Sequence, residues 1–208
     1  MKTKKIILFG AGGHAQSCID VIEQEGHFQI AGLVGIEGEV GKEVSGYRVI
    51  ADESNLFDLR GEAKYALVAV GQILSPELRI KLKEKILQSG FELAKVIAPT
   101  AYISPSAKIG AGTIVMHGAI LNTGVQVGSN CIINSKALLE HNVQVRDNTH
   151  ISTGVVLNGK VSVDEGCFVG SGAVLKEGIV IGQRTVIGMG TIVRRDLGPN
   201  QIIHGARV

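Results

Sequence analysis

The sequence contains no Trp, and its 3 Tyr and 5 Phe make an aromatic share of only 4% in 208 residues. Large rings usually fill a good part of a core, so this interior has to be built from smaller side chains. An excess of one charge is lacking too. Lys+Arg at 21 against Asp+Glu at 19 leaves a net charge of +2, which provides no basic field to hold nucleic acid or an anionic membrane surface. The 3 cysteines, Cys18, Cys131 and Cys167, are an odd number without metal-site or redox spacing, which argues against a disulfide framework and against zinc. They read as small buried hydrophobes in a reducing cytosol, so a cytoplasmic protein is expected. Long hydrophobic runs are missing as well, none approaching the roughly 18 residues that cross a bilayer. Met1 to Lys5 followed by Ile6-Ile7-Leu8-Phe9 imitates a signal peptide, but Gly10 to Gly13 end the apolar run too early for one.

What is abundant is Gly, 28 residues, within a chain that is 45% hydrophobic. Residues 1–94 alternate strand-like and helix-like segments. Lys5 to Phe9 is a continuous apolar strand, and Ser17 to Glu25 carries Cys18, Ile19 and Ile22 at helical spacing. Gln29 to Val34 and Tyr65 to Val70 read as further strands, and Pro76 to Ser89 as a second helix with proline at its first position. Such alternation implies a small parallel sheet. Gly10-x-Gly12-x-x-Ala15, between the first strand and helix, is a form of the dinucleotide fingerprint, in which bare amides at a helix N-terminus hold phosphate. NAD would call for an acidic residue at the end of the second strand, and that end reads Leu33-Val34-Gly35-Ile36. The missing carboxylate argues against a dehydrogenase.

From Ile97 to Val193 an aliphatic residue occurs at every sixth position without exception, 17 hexads in all. Four residues after each but the last comes a small or β-branched residue such as Ala101, Ala107, Thr113 and Ala119, with Gly, Asn or Asp often in the turn between. A period of six belongs to neither a helix nor an alternating strand; it is the signature of a parallel β-helix with one hexad per face. Three faces per coil give between five and six coils and a prism about 27 Å tall at the usual inter-strand spacing. Stacked Ile, Val and Leu then replace the aromatics.

Gly10-Ala11-Gly12-Gly13-His14-Ala15, Ile103-Ser104-Pro105-Ser106-Ala107 and Asn134…Glu140-His141…His150-Ile151-Ser152…Gly154 together resemble the left-handed β-helix acyltransferases. The resemblance is specifically to the nucleotide-sugar acetyltransferases of bacterial glycan pathways, and it covers nearly the whole chain. It implies an α/β Rossmann-like nucleotide-sugar-binding domain over 1–94 and an all-β, left-handed parallel β-helix acyltransferase domain over 95–208. It also implies a homotrimer with active sites between subunits, acetyl-CoA as acyl donor, and no metal. The handedness comes from the resemblance alone, since most parallel crossovers are right-handed.

The same resemblance implies roles for individual residues. Gly12, Gly13, His14, Gly71, Gln72 and Asn134 would bind the nucleotide sugar. His150, Gly159, Ser171, Gly172, Met189 and Gly190 would line the acetyl-CoA site, with Arg194, Arg195 and Arg207 able to meet its phosphates. His141 would be the catalytic base. The residues agree, for His141 is third in the hexad Leu139-Glu140-His141-Asn142-Val143-Gln144, in an outward turn that has no packing use for it. Acetyl transfer to an amine needs a base near neutral pH. Close relatives place a carboxylate directly after this histidine to orient the ring; here Asn142 follows it and Glu140 precedes it. A zinc hydratase on the same prism would need closely spaced histidines, but no His-x4-His occurs and His117 lies 24 residues before His141, one and a third coils away. The expected activity is direct acetyl transfer to an amino group of a nucleotide-linked sugar. O-acetylation of sialic acid or another sugar is an alternative, and so is a non-catalytic nucleotide-binding trimer, which Asn142 favours.

Overall fold

The computed structural model describes residues 4–53 and 56–205. It opens with β1 (Lys4–Phe9), α1 (Gly13–Glu25), β2 (Phe28–Gly35), β3 (Glu43–Val44), β4 (Tyr47–Asp52), β5 (Tyr65–Val68), α2 (Glu77–Gln88) and β6 (Glu92–Leu93). The sheet runs β3-β4-β2-β1-β5-β6, and all its pairs are parallel except the short β3–β4 hairpin. Without β3 this is the order of half a doubly wound fold, in which the sequence order reverses between β1 and β5. Ile6 to Phe9 are fully buried, as a central parallel strand covered on both faces requires. Helix α1 begins earlier than its apolar spacing suggested, directly after Gly12, and stops at Gly26 in the left-handed conformation with φ 70°. The β3–β4 hairpin had no counterpart in the sequence reading. Ser45 and Gly46, with φ 48° and 81°, make the tight turn that matches strand twist.

From Val96 onward the chain winds into a three-walled parallel β-helix. Each wall strand is two residues long and pairs with the strand one coil on, as Ile114 with Ile132 and Ile133 with Ile151, so three hexads close one coil. The aliphatic of every hexad points inward, and Val115, Leu121, Val127, Ile133 and Leu139 belong to one continuous buried core. At the fourth position of each hexad from Gly112 to Gly190 the backbone has positive φ, a conformation that glycine and asparagine accept most readily. This is why those two recur in the turns. The last coil is shorter, pairing Val186 with Ile202 and Ile181 with Leu197.

The three walls differ on their outer sides. Val96, Ile114 and Ile132 on the first wall lie under the α/β unit and share a core with Ile19 and Ile22 of α1. The third wall shows Lys108, Gln126, Gln144 and Ser162. The second wall shows an apolar ladder of Tyr102, Ile120, Leu138, Val156, Val174 and Ile192, with Tyr102 56% and Ile120 39% exposed. Among the described residues no helix is long and apolar enough to cross a membrane.

Candidate active site

His141 stands exposed on the edge between the second and third walls. Asn142 holds the left-handed turn there with φ 58°, which sets its amide beside the ring, Nδ2 lying 3.3 Å from Nδ1 of His141. One coil further, Gly159 lies against the opposite side of the ring, where a β-carbon would stand 2.6 Å from Cε1 and nearer still to Nε2. Glu140 is engaged elsewhere, its Oε2 accepting 3.0 Å from Nδ2 of Asn122 in the preceding coil. Glu140, His141 and Gly159 border a hollow of about 400 Å³ whose lining also includes Asn158, Lys160 and Glu177. For the ring to act through Nε2 its proton must sit on Nδ1, and the Asn142 amide then turns by half a revolution to offer its oxygen.

The other expected residues of the prism lie on a different edge, between the first and second walls. Asn134, Ser171 and Met189 occupy turns of that edge. Ser171 Oγ is 2.9 Å from Ser152 Oγ, Gly172 and Gly190 carry the left-handed turns, and Met189 is 83% exposed. His150 is buried beside this edge, with Nδ1 2.7 Å from the Gln72 carbonyl and Nε2 3.2 Å from Nδ2 of Asn134. Gln72, expected at a substrate, is buried at the junction of the two units, where its Nε2 donates 3.0 Å to the Cys167 carbonyl. Asn134, His150 and Gln72 are thus brought together, while His141, Glu140, Asn142 and Gly159 form a second group. Within one chain the two groups stand on separate edges.

At the ends of β1 and β2 a crevice of about 190 Å³ is lined by Gly10, Gly12, Gly35, Glu39 and Glu53 among others. It opens where α1 starts with no side-chain cap, so the first amides of that helix face outward toward any anion placed there. Two carboxylates from outside the second strand lie near its end. Glu39 folds back so that Oε2 accepts 3.0 Å from the Ile36 amide, and β4 ends on Asp52, which pairs with Gly35 of β2. Neither is visible at the strand end itself, because one arrives by a turn and the other on the short β3–β4 hairpin. A β-carbon on Gly71 would meet the Cβ of His14 at 3.9 Å, the distance of ordinary packing. Among the described residues His14 Nε2 is buried without a partner, and burial, then Arg79, then His150 lower its pKa to about 3. It is therefore a neutral ring in the first turn of α1.

Arg79 of α2 was not singled out in the sequence, yet it is 1% exposed. It donates to the carbonyls of Val68 and Val70, and its Nη2 reaches the Asn130 Oδ1 at 3.0 Å in a prism turn. Asn130 in turn donates to Asn148 and Asn148 to Glu165. A buried cation thereby ties the α/β unit to the first wall. The three thiols are buried, and burial raises Cys18 and Cys131 to about 12 and Cys167 to about 11, which leaves them protonated and inert. His117 bridges Thr100 and Asp20 of α1, and among the described residues no group of three or more metal-binding side chains forms. Arg194 and Arg195 are exposed at the prism end; Arg207 lies outside the described residues.

Three family models match segments of the chain: the PglD N-terminal domain over residues 5–86, bacterial transferase hexapeptide (six repeats) over 106–141, and the hexapeptide repeat of succinyl-transferase over 160–195. Among solved structures, a histidine-to-asparagine mutant of perosamine N-acetyltransferase from Caulobacter crescentus, in complex with CoA and GDP-perosamine, is 32% identical. It superposes with a TM-score of 0.89, over 95% of this chain and 92% of that one. The acetyltransferase domain of PglB from Neisseria gonorrhoeae, in complex with acetyl coenzyme A, is 28% identical, with a TM-score of 0.90 over 99% of this chain and 98% of that one. WeeI from Acinetobacter baumannii shares the fold at 20% identity, with a TM-score of 0.84 over 98% and 97%.

Proposed function

Because the chain belongs to the hexapeptide-repeat family of nucleotide-sugar acetyltransferases, we propose that it transfers acetyl from acetyl-CoA to the amino group of a nucleotide-linked sugar, with His141 as general base. The observation that carries this reading is the setting of His141, exposed on its edge with an amide at Nδ1 and only a glycine against Nε2. The amine nitrogen attacks the thioester carbonyl carbon and forms the C–N bond as its proton passes to Nε2. Collapse of the tetrahedral intermediate breaks the C–S bond, and the thiolate takes the proton back from the imidazolium. The Gly159 amide, which has no hydrogen-bond partner among the described residues, is the donor at hand for the oxyanion. The buried, protonated cysteines speak against an acyl-enzyme route.

In this reading residues 1–94 hold the nucleotide sugar, with its phosphates at Gly12, Gly13 and His14, and residues 95–208 perform the transfer. Because His14 is neutral, the phosphates depend on main-chain amides and the helix dipole. Ser171, Gly172, Met189 and Gly190 make an edge along which the pantetheine arm can lie. The protein is a homotrimer. Two observations favour that state: the uncovered apolar second wall, and the division of the site residues between the two edges that flank it. A neighbouring copy seated on that wall brings one edge of one prism to the other edge of the next, and three-fold closure makes three equal sites.

Incubation with acetyl-CoA and a panel of GDP-, UDP- and dTDP-linked amino sugars, followed by mass spectrometry, tests the reaction. The expected product carries acetyl on nitrogen. An ester on a hydroxyl, or no product with any member of the panel, contradicts the assignment.

A further inference from the structure

We infer that the main-chain carbonyl of Gln72, acting through His150, fixes Asn134 as a hydrogen-bond donor, so that Asn134 presents an N–H to a substrate oxygen and His150 is a positioning residue. This rests on reading the groove as an acetyl-transfer site. The Gln72 oxygen can only accept, so the contact of 2.7 Å requires the proton of His150 to be on Nδ1. Gln72 cannot drift away, since its side chain is anchored on the Cys167 carbonyl at 3.0 Å. Burial is the main reason that the pKa of His150 falls to about 4, with Arg79 adding to it and the Gln72 bond opposing it, so the ring carries one proton and Nε2 is bare. The neighbouring groups supply no counter-charge, being the Arg79 guanidinium, the neutral His14 and the edge-on Phe168 ring 5.2 Å away.

A bare Nε2 accepts, and the group that faces it at 3.2 Å is Nδ2 of Asn134. The far end of the same amide agrees, for Oδ1 of Asn134 accepts from the Ser135 amide at 2.8 Å. The amide is therefore fixed at both ends, and one N–H of Nδ2 remains without a partner among the described residues. An attacking amine must keep its lone pair for carbon, so a donor at this place suits the thioester carbonyl or a sugar hydroxyl and not the nucleophile. His150 itself has both ring nitrogens engaged within the chain and no further hydrogen bond to give. The docking of the α/β unit on the prism thus decides the polarity of a group on the prism edge.

Long-range proton–nitrogen correlation spectra of the wild-type protein are expected to show His150 as the Nδ1–H tautomer alone between pH 6 and 8. In Asn134→Asp a carboxylate oxygen would face Nε2, and the ring is expected to be doubly protonated at pH 7. Two further variants separate positioning from simple packing. His150→Gln sets an amide oxygen near the place of Nε2 and keeps an acceptor for Asn134. His150→Asn sets an amide N–H near the place of Nδ1, which keeps the Gln72 contact and leaves Asn134 unheld. Since outer-shell partners are typically worth about 10- to 100-fold, kcat of His150→Asn is expected to fall at least about tenfold below that of His150→Gln, with KM for acetyl-CoA little changed. An Nε2–H tautomer in the wild type, a neutral ring in Asn134→Asp, or equal kcat in the two His150 variants overturns the inference. The spectra do not depend on turnover. An Nδ1–H tautomer in a protein that acetylates no amino sugar would sink the acetyl-transfer reading and leave the chain of bonds standing.

Discussion

Gly159 lies directly against the imidazole of His141 one coil away on the same edge, so close that a β-carbon on it would stand 2.6 Å from Cε1 and nearer still to Nε2. The clash would be with the end of an exposed side chain and not with backbone, so the ring would yield rather than the fold. Gly159→Ala is therefore expected to leave the melting temperature within about 2 °C, since surface changes cost little. It is expected to lower kcat about a hundredfold, the usual cost of a base displaced by an ångström. Thermal melts and steady-state rates on the same preparation check this.

Asn142 and Glu140 differ in their claim on His141. Only Asn142 touches the ring, while Glu140 is held by Asn122. Asn142→Asp would set a negative charge beside Nδ1, favour the imidazolium and raise the pKa of the ring. A base with a higher pKa is freed of its proton only at higher pH, so the acidic limb of kcat/KM should move upward. Glu140→Gln should leave that limb in place. Rate profiles from pH 5.5 to 9 decide, and a limb moved by Glu140→Gln alone would reverse the roles.

Acid should weaken the folded protein through His14 and His150, whose folded pKa values of about 3 and about 4 lie below the ordinary histidine value of 6.5. The unfolded chain binds more protons throughout that interval, so stability falls as pH drops from about 6.5 toward 4. At about 1.4 kcal/mol per pH unit for each ring, the two together cost up to about 4 kcal/mol at pH 5, less to the extent that solvent reaches His14. Urea titrations at pH 7 and pH 5 measure the slope, and His14→Asn should flatten it.

The clamp made by Arg79 can be tested by removal. Arg79→Met leaves the carbonyls of Val68 and Val70 and the side chain of Asn130 without their buried donor. Each orphaned group costs about 1 to 3 kcal/mol, so a loss of about 3 kcal/mol or more in urea denaturation is expected. An unchanged midpoint would mean that the two units are held together by their shared apolar core alone.

The prism was legible residue by residue because each inward aliphatic, such as Val115 or Leu139, reports its own burial and the spacing between them reports the coil. The Gly and Asn of the turns reported backbone conformation as directly. The α/β elements were legible where apolar spacing was clear, as in β1, but the β3–β4 hairpin depends on Ser45-Gly46 between short, polar strands, which is a weak signal. What could not be read were contacts across long sequence separations. Gln72 meets His150 across 78 residues and Arg79 meets Asn130 across 51, and no local pattern encodes either. The same limit applies to the edges of the prism. Spacing placed His141 on an outward turn, and only the coil register shows that Ser171 lies on a different edge.

Light scattering is expected to give three times the 21.9 kDa chain mass, and Ile120→Glu, which charges the apolar second wall, should shift the species toward monomer. A monomeric wild type would leave the two edges unjoined and remove the basis for a shared site.

The most direct test of the account is CoA thiol release by the wild type and by His141→Ala with the same nucleotide-linked amino sugar. A positioned base is worth about 10²- to 10⁴-fold, and an exposed side chain contributes little to the stacked core. The account predicts release that requires both substrates and falls at least a hundredfold in the variant, with the assembly and CoA binding retained. A variant that keeps more than about a tenth of wild-type turnover would contradict it.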